Sequence, residues 1–301
     1  MKYRRLGKTD LNVSVIGVGT WQFGGEWGKA FTPEEVKGLL GRAGELGINL
    51  IDTAECYGDH LSEALIGQAI EGERDRWIIA TKFGHKFPGP FERIDQWSPP
   101  EVQQQLEDSL RALRTETIDL YQFHSGSDQV FDQEALWSML QRQIQAGKIR
   151  YLGLSVSSRI DPLYQIQRAA EVGVSAIQII YNRLERSPEE KIFPVCQEQN
   201  LGVLARVPLA SGLLSGKYQP GTAFTQPDDV RSRQDQADIQ AKLKQVQEIQ
   251  QNEAPPDVPL AAWALAWCLQ HPAVSAVIPG CKTIEQVELN ASAADLEMVE
   301  G

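Results

Sequence analysis

The sequence predicts an α/β fold in which eight parallel strands alternate with helices and close into a TIM-type (β/α)8 barrel. An N-terminal β-hairpin precedes the barrel, and a long loop-helix insertion follows strand seven. Three observations predict this. Eight short runs are apolar on both faces, as strands of a parallel sheet covered by helices must be. Helical patterns separate them, several opened by a hydroxyl residue before proline and closed by glycine. The first strand-to-helix turn, Gly17-Val18-Gly19-Thr20-Trp21-Gln22-Phe23-Gly24-Gly25, lacks the G-x-G-x-x-G spacing of an open dinucleotide-binding sheet. No Pro/Ser-rich linker divides the 301 residues, so one barrel domain spans 1–301.

The elements follow in order. Tyr3 to Val13, with Thr9-Asp10 at its turn, reads as a hairpin placed to plug the barrel's bottom. The strands are Ser14 to Val18, Asn49 to Asp52, Trp77 to Lys82, Ile118 to Phe123, Tyr151 to Ser155, Ala176 to Ile180, Gly202 to Arg206 and Val274 to Ile278. Between them lie helical patterns at Pro33 to Leu46, His60 to Ala69, Pro99 to Leu113, Asp132 to Gln145, Pro162 to Val172 and Pro188 to Gln199. Thr32-Pro33, Ser98-Pro99 and Ser187-Pro188 each place a capping hydroxyl before proline, with acids in the first turn. Glycines after the helices, as at Gly47, Gly147, Gly173 and Gly202, provide left-handed termination before the next strand. One stretch breaks the rhythm. Ser211 to Asp257 runs from a Gly/Ser-rich turn through polar coil into a Gln-rich helix near Gln234 to Asn252, either a surface helix or a flap over the barrel mouth.

Composition limits the function. With 42% apolar and 23% charged residues the chain can build a large core, and 29 Lys plus Arg against 40 Asp plus Glu leave a net charge of −11. That balance disfavours nucleic-acid and anionic-membrane partners. Cys56, Cys196, Cys268 and Cys281 form neither a zinc knuckle nor a C-x-x-C pair, and no disulfide framework is needed. Met1 to Asp10 is not a secretory signal, and the longest apolar stretch, Leu260 to Leu269, is too short to span a bilayer. A cytoplasmic protein is expected.

In a barrel the informative side chains stand at the C-terminal strand ends. Asp52, Lys82 and His124 end three consecutive strands, and Tyr57 follows Asp52 by five positions. Singly, each has a plain structural reading: Asp52 a loop cap, Tyr57 a core ring, Lys82 an ion-pair partner of Asp52, His124 a satisfied core histidine. Convergence of the four at one mouth favours function, because unpaired buried charges are costly. Tyrosine is a poor acid near neutrality unless a cation favours its phenolate. Lys82 supplies that cation, Asp52 holds the ammonium, and His124 can donate to a substrate carbonyl. Such a site suits a carbonyl whose oxygen gains charge as hydride reaches its carbon. The four histidines, His60, His85, His124 and His271, show no ligand spacing, so no metal is expected.

Gly47-Ile48-Asn49-Leu50-Ile51-Asp52-Thr53-Ala54-Glu55-Cys56-Tyr57-Gly58, Leu120-Tyr121-Gln122-Phe123-His124 and Ile278-Pro279-Gly280-Cys281-Lys282-Thr283 resemble segments of the aldo-keto reductases, and the likeness runs from about Tyr3 to Ala293. Within it, Asp52, Tyr57, Lys82 and His124 match the family's catalytic tetrad. The resemblance implies a barrel that reduces aldehydes or ketones to alcohols with NADPH (oxidised form NADP+) lying across its top. It places Gly19, Thr20 and Trp21 near cofactor and substrate, Ser155 and Gln178 at the carboxamide, and Arg206 against the nicotinamide. Pro208, Leu209, Ser211, Gly212, Leu213, Ser215 and Lys217 resemble the pyrophosphate loop. Gly280, Lys282, Thr283, Gln286 and Asn290 occupy the adenosine-phosphate end. Two departures stand out: Ser155-Val156-Ser157 where many members carry Ser-Asn, and Gly280-Cys281 with Gln286 where many carry Lys-Ser and an Arg. Lys282 is then the phosphate's cation.

The stretch Pro208-Leu209-Ala210-Ser211-Gly212-Leu213-Leu214-Ser215-Gly216-Lys217-Tyr218 is similar to the bacterial and potassium-channel-β-like branch. Channel-associated members supply the rival class, a nicotinamide-cofactor-sensing regulatory protein. A barrel hydrolase or isomerase is disfavoured for want of paired carboxylates. The expected partner is a small-molecule carbonyl substrate; no obligate protein partner is indicated. Trp21, Trp27, Phe87, Phe91, Trp97 and Phe224 are expected in mouth loops lining its pocket.

Overall fold

The computed structural model describes residues 1–297, so Val299 and its three neighbours at the end of the expected 1–301 domain lie outside the described residues. Its elements run β1 Tyr3–Arg5, β2 Asn12–Ser14, β3 Val18–Gly19, α1 Pro33–Glu45, β4 Leu50–Asp52, α2 Leu61–Ala69, β5 Ile78–Phe83, β6 His85–Gly89, β7 Glu92–Asp95 and α3 Pro99–Ala112. There follow β8 Ile118–His124, α4 Asp128–Phe131, α5 Glu134–Gln145, β9 Ile149–Ser155, α6 Leu163–Gln167, β10 Val174–Ile180, α7 Pro188–Glu198 and β11 Gly202–Arg206. The chain continues through α8 Gln236–Asn252, α9 Leu260–Gln270, β12 Ala276–Val277 and α10 Ile284–Ser292.

Eight of these strands form one parallel sheet in the order β12-β11-β10-β9-β8-β5-β4-β3. The first and last edges then meet: Gly17 N–H donates to Val277 O at 2.8 Å, Val277 N–H to Val15 O at 2.9 Å, and Gly19 N–H to Pro279 O at 3.0 Å. A closed sheet has no free edge, and the expected (β/α)8 barrel is the fold.

Two apolar layers follow from the strand alternation. Side chains on the outer strand face pack under the helices, among them Ile51, Ile79, Tyr121 and Ile177. Those on the inner face, Leu50, Ala80, Leu120, Ala176, Leu204 and Ala276, meet Leu6, Leu11 and Val13 of the β1–β2 hairpin. The hairpin thus plugs the bottom of the barrel, as its sequence predicts.

Capping worked as expected at two of three helices. Thr32 and Ser98 each form a capping box with the glutamate three residues on, whereas Ser187 has helical dihedrals and its hydroxyl donates to Glu185 Oε1 at 2.5 Å. Gly47, Gly147 and Gly173 take the left-handed conformation, but after α7 it is Asn200, not Gly202, that does so.

The expected helix Pro162 to Val172 shortens to α6. The short α4, the β6–β7 ribbon, which projects beyond β5, and α9, whose stretch Leu260 to Leu269 registers only as apolar, escape the sequence reading. In the insertion, α8 buries Ile239, Leu243, Val246 and Ile249 against Leu213, Leu214 and Trp263, so the helix itself is a packed surface element. The segment before it reaches the mouth through Lys217, Tyr218 and Arg231. Among the described residues no helix is long and apolar enough to cross a membrane.

Candidate active site

Adjacent strands deliver the four expected residues to one end of the barrel. Asp52 ends β4, Lys82 lies near the end of β5, and His124 ends β8. Tyr57 comes from the turn before α2. Lys82 Nζ donates to Asp52 Oδ2 at 2.9 Å and to Thr53 O at 2.6 Å, and stands 3.3 Å from the Tyr57 hydroxyl. The Tyr57 and His124 rings meet edge to face with centroids 6.4 Å apart. Asp52 Oδ1 accepts from Gln178 Nε2 at 2.5 Å and Gln122 Nε2 at 3.3 Å, so the carboxylate is held from both sides.

Burial sets the protonation states. Lys82 is fully buried; desolvation alone would lower its pKa, but the Asp52 carboxylate outweighs it and holds the ammonium above its usual range. Desolvation pushes Tyr57 up to about 12, more than the Lys82 charge draws it down. The sequence reading expected the cation to prevail, so the phenol is a firmer proton carrier than anticipated. His124 lies well below the ordinary histidine value, first through burial and then through the charges of Lys82, His85, Arg206 and Arg93, and is neutral near neutral pH.

A cavity of about 720 Å³ opens over this set. Gly19, Thr20, Trp21, Asp52, Gln178, Arg206, Pro208 and Leu209 line it, as do Ser211, Gly212, Ser215, Lys217, Gly280, Lys282, Gln286 and Asn290. Three of the expected residues stand back from it. Ser155 is buried and donates to Gln178 Oε1 at 3.3 Å, Leu213 packs under α8, and Thr283 caps α10 by accepting from Gln286 N–H at 3.3 Å. At the seventh strand's end Ala210, Ser211 and Gly212 follow one another with φ of 48°, 58° and 90°. Two of these three are not glycine, so the turn is strained; Ala210 N–H donates to Val207 O and Gly212 N–H to Leu209 O, each at 2.9 Å, which leaves Ser211 N–H without a partner among the described residues. Arg206 Nε and Trp27 Nε1 are buried without a hydrogen-bond partner among the described residues.

Two features of the site were not singled out from the sequence. Glu26, 1% exposed, accepts from Trp21 Nε1 at 2.7 Å, Arg93 Nη2 at 2.7 Å and Phe91 N–H at 2.5 Å, while its backbone carbonyl accepts from Val230 N–H at 3.0 Å. It fastens the first loop, the β6–β7 ribbon and the insertion together. Second, Glu55, Cys56 and His124 bring one donor atom each within 4.8 Å of one another, although sequence spacing gave no hint of it. Of the aromatics expected at the mouth, Trp21 and Trp27 line the cavity, whereas Trp97 packs inward against Phe83 and Phe123.

Comparison with known proteins adds the following. The model of the Aldo/keto reductase family matches residues 15–300. An uncharacterized oxidoreductase, YqkF of Bacillus subtilis, is 31% identical over 297 residues, covering 98% of this chain and 92% of its own. The holo form of an aldo-keto reductase from Bacillus halodurans, AKR11C1, superposes with a TM-score of 0.82 at 33% identity, over 100% of this chain and 93% of that one. The glycerol dehydrogenase AKR11B4 from Gluconobacter oxydans gives 0.83 at 31% identity, over 97% and 90%.

Proposed function

The chain belongs to the Aldo/keto reductase family, and on that premise we propose that it is an NADPH-dependent reductase of aldehydes or ketones, one barrel domain acting in the cytoplasm, with Tyr57 as proton donor. The observation that carries the reading is the placement of one buried cation, Lys82, against both Asp52 and the Tyr57 hydroxyl, beside a neutral His124.

The residues around the cavity fit a nicotinamide dinucleotide. The free Ser211 N–H and Lys217 suit a pyrophosphate, and Gln178, which Ser155 supports from behind, lines the same cavity as Arg206, whose Nε is unpartnered, and suits a carboxamide. Lys282, Gln286 and Asn290 at the far end suit the adenosine phosphate. When bound, the reduced cofactor supplies the hydride to the carbonyl carbon.

The chain's own groups manage the oxygen. Tyr57, protonated at any physiological pH, donates its proton to the oxygen as negative charge develops there. Lys82 lies behind the phenol and stabilises the tyrosinate left behind; Asp52, held by Gln178 and Gln122, fixes the ammonium. His124, being neutral, has one ring N–H to give to the same oxygen and so orients the carbonyl between itself and Tyr57. The buried cysteines Cys56, Cys196, Cys268 and Cys281 are all free thiols, in keeping with a reducing compartment.

The test is NADPH consumption with a panel of aldehydes and ketones, for wild type and Tyr57→Phe. Multiple turnovers with at least one carbonyl are expected, and Tyr57→Phe should lose roughly 10²–10⁴-fold in kcat with cofactor affinity nearly unchanged. Cofactor binding without turnover would favour the sensing protein instead.

A further inference from the structure

Glu55 does nothing in the mechanism above, yet its carboxyl is among the most confined groups near the site. Its side chain is 1% exposed. Oε1 accepts from His85 N–H at 3.0 Å, while Oε2 is buried and has no partner among the described residues. That unpartnered oxygen lies 4.0 Å from His124 Nδ1. The Cys56 thiol lies on the same side, with Sγ 3.8 Å from Nδ1. Both neighbours therefore crowd one ring nitrogen, and Nε2 is left as the nitrogen for the cavity, which His124 lines.

A neutral imidazole carries a single proton, and whichever nitrogen accepts a hydrogen bond leaves that proton on the other. We propose that Glu55 is a positioning residue: its carboxyl O–H, closing on Nδ1 of His124, fixes the tautomer in which Nε2–H donates to the substrate oxygen. The inference rests on the role given to His124 above. A closure of roughly 1 Å brings Oε2 into hydrogen-bond range. Ionised, the same carboxyl can only accept; it draws the proton to Nδ1 and leaves Nε2 a lone pair, which cannot support a carbonyl oxygen gaining charge.

The groups that face Glu55 are Glu63 and His60 of the α2 region, Lys82 of β5, Tyr121 of β8 and the His85 backbone; Arg93 and Arg206 reach toward His124. Burial and the Glu63 carboxylate raise Glu55, against the opposing charges of Lys82 and His60, to about 7. The carboxyl therefore changes state within the working range. His60, which Glu63 raises from the ordinary histidine value, titrates nearby, so wild-type behaviour alone does not assign the change.

The variant that does is Glu55→Gln. Its amide oxygen keeps the His85 contact while its N–H donates to Nδ1 at every pH. Two readouts are used. In NADPH-saturated turnover of a reducible aldehyde, wild-type kcat should fall about tenfold per pH unit above a limb near 7, and Glu55→Gln should remove the limb while keeping the low-pH rate within a few-fold. Glu55→Leu should run at the lower rate throughout, and Cys56→Ala should keep the limb. Independently of turnover, ¹⁵N spectra of ring-labelled protein, with His124 assigned by His124→Ala, should show the Nε2–H tautomer at pH 6 and Nδ1–H at pH 8.5 in wild type, and Nε2–H at both in Glu55→Gln. An unchanged wild-type tautomer across that range, or a limb surviving in Glu55→Gln, overturns the proposal. Failure of the carbonyl reading alone would leave the spectra as predicted with no turnover to measure.

Discussion

Lys82 Nζ donates to Asp52 Oδ2 across 2.9 Å, with Lys82 fully buried and Asp52 3% exposed. The two are not equally supported without each other. Asp52 keeps the donors Gln178 and Gln122, whereas Lys82 keeps one backbone carbonyl and a phenol. Removing one member of a buried pair typically costs about 3–5 kcal/mol because the other charge is stranded. Asp52→Ala should therefore destabilise more than Lys82→Met in urea unfolding, and Asp52→Asn combined with Lys82→Met should regain stability while carbonyl reduction stays lost. Equal destabilisation by the two single changes would show that the glutamine donors contribute little.

Tyr57, raised to about 12 by burial, stays protonated through pH 9. A tyrosine whose pKa rises on folding contributes stability that is present below about 10 and lost as pH climbs through 12. Native protein titrated at 295 nm should show no phenolate belonging to Tyr57 below pH 11, so the wild-type and Tyr57→Phe curves should coincide there. Divergence near pH 9 would mean that Lys82 governs the phenol after all. Lys82→Met removes the group drawing Tyr57 down, so its effect on reduction should come as a lower rate at every pH; any upward displacement of the limb near 7 belongs to Glu55, which the Lys82 charge also draws down.

Glu26 and Arg93 join the first loop to the β6–β7 ribbon at the rim of the cavity, where Trp21, hydrogen-bonded to Glu26, lies stacked on Tyr57 with centroids 6.1 Å apart. Glu26→Ala releases Trp21, Arg93 and the Phe91 N–H together. The lost order should appear as a KM for the carbonyl raised about 5–30-fold, the factor of one or two kcal/mol, with kcat changed much less. Glu26→Gln, which still accepts from Trp21, should fall between. A kcat loss as large as the KM rise would move Glu26 from the rim into the chemistry.

The barrel was legible because its strands, such as Ile118 to Phe123 and Ala176 to Ile180, are apolar on both faces, a pattern little else produces. Asp52, Lys82 and His124 were legible as a group for a related reason: charge at the end of a wholly buried strand has few structural uses. The β6–β7 ribbon was not, since His85-Lys86-Phe87-Pro88-Gly89 and Glu92-Arg93-Ile94-Asp95 cover no continuous apolar face and pair only with each other. Helix α9 was missed for the opposite reason, being apolar nearly all round and so without helical periodicity. Glu26 and Glu55 hid because burial alone distinguishes them from surface acids. The pairing of Glu26 with Arg93 spans two loops whose meeting depends on the ribbon.

Three cations gather at the far end of the cavity, but Arg231 Nη2 is engaged with Asp229 at 2.6 Å and Lys29 with Glu35 at 3.0 Å. Lys282 Nζ meets only the Trp27 carbonyl among the described residues, and burial with the neighbouring Arg231 lowers its pKa. An arriving phosphate would relieve that cost. Two backbone donors at the start of α10 are already engaged: Lys282 N–H donates to Gln286 Oε1 at 2.7 Å, and Gln286 N–H donates to Thr283 Oγ1. Lys282 should therefore carry most of the preference for the 2′-phosphorylated form. A charged hydrogen bond contributes about 1.5–3 kcal/mol, so Lys282→Ala should weaken NADPH binding by roughly one to two decades in Kd and leave NADH nearly unchanged. Fluorescence titrations of both cofactors, wild type and variant, at one stated ionic strength measure this directly. Parallel weakening of the two would take Lys282 out of the discrimination, and tighter wild-type binding of NADH would reverse the cofactor assignment.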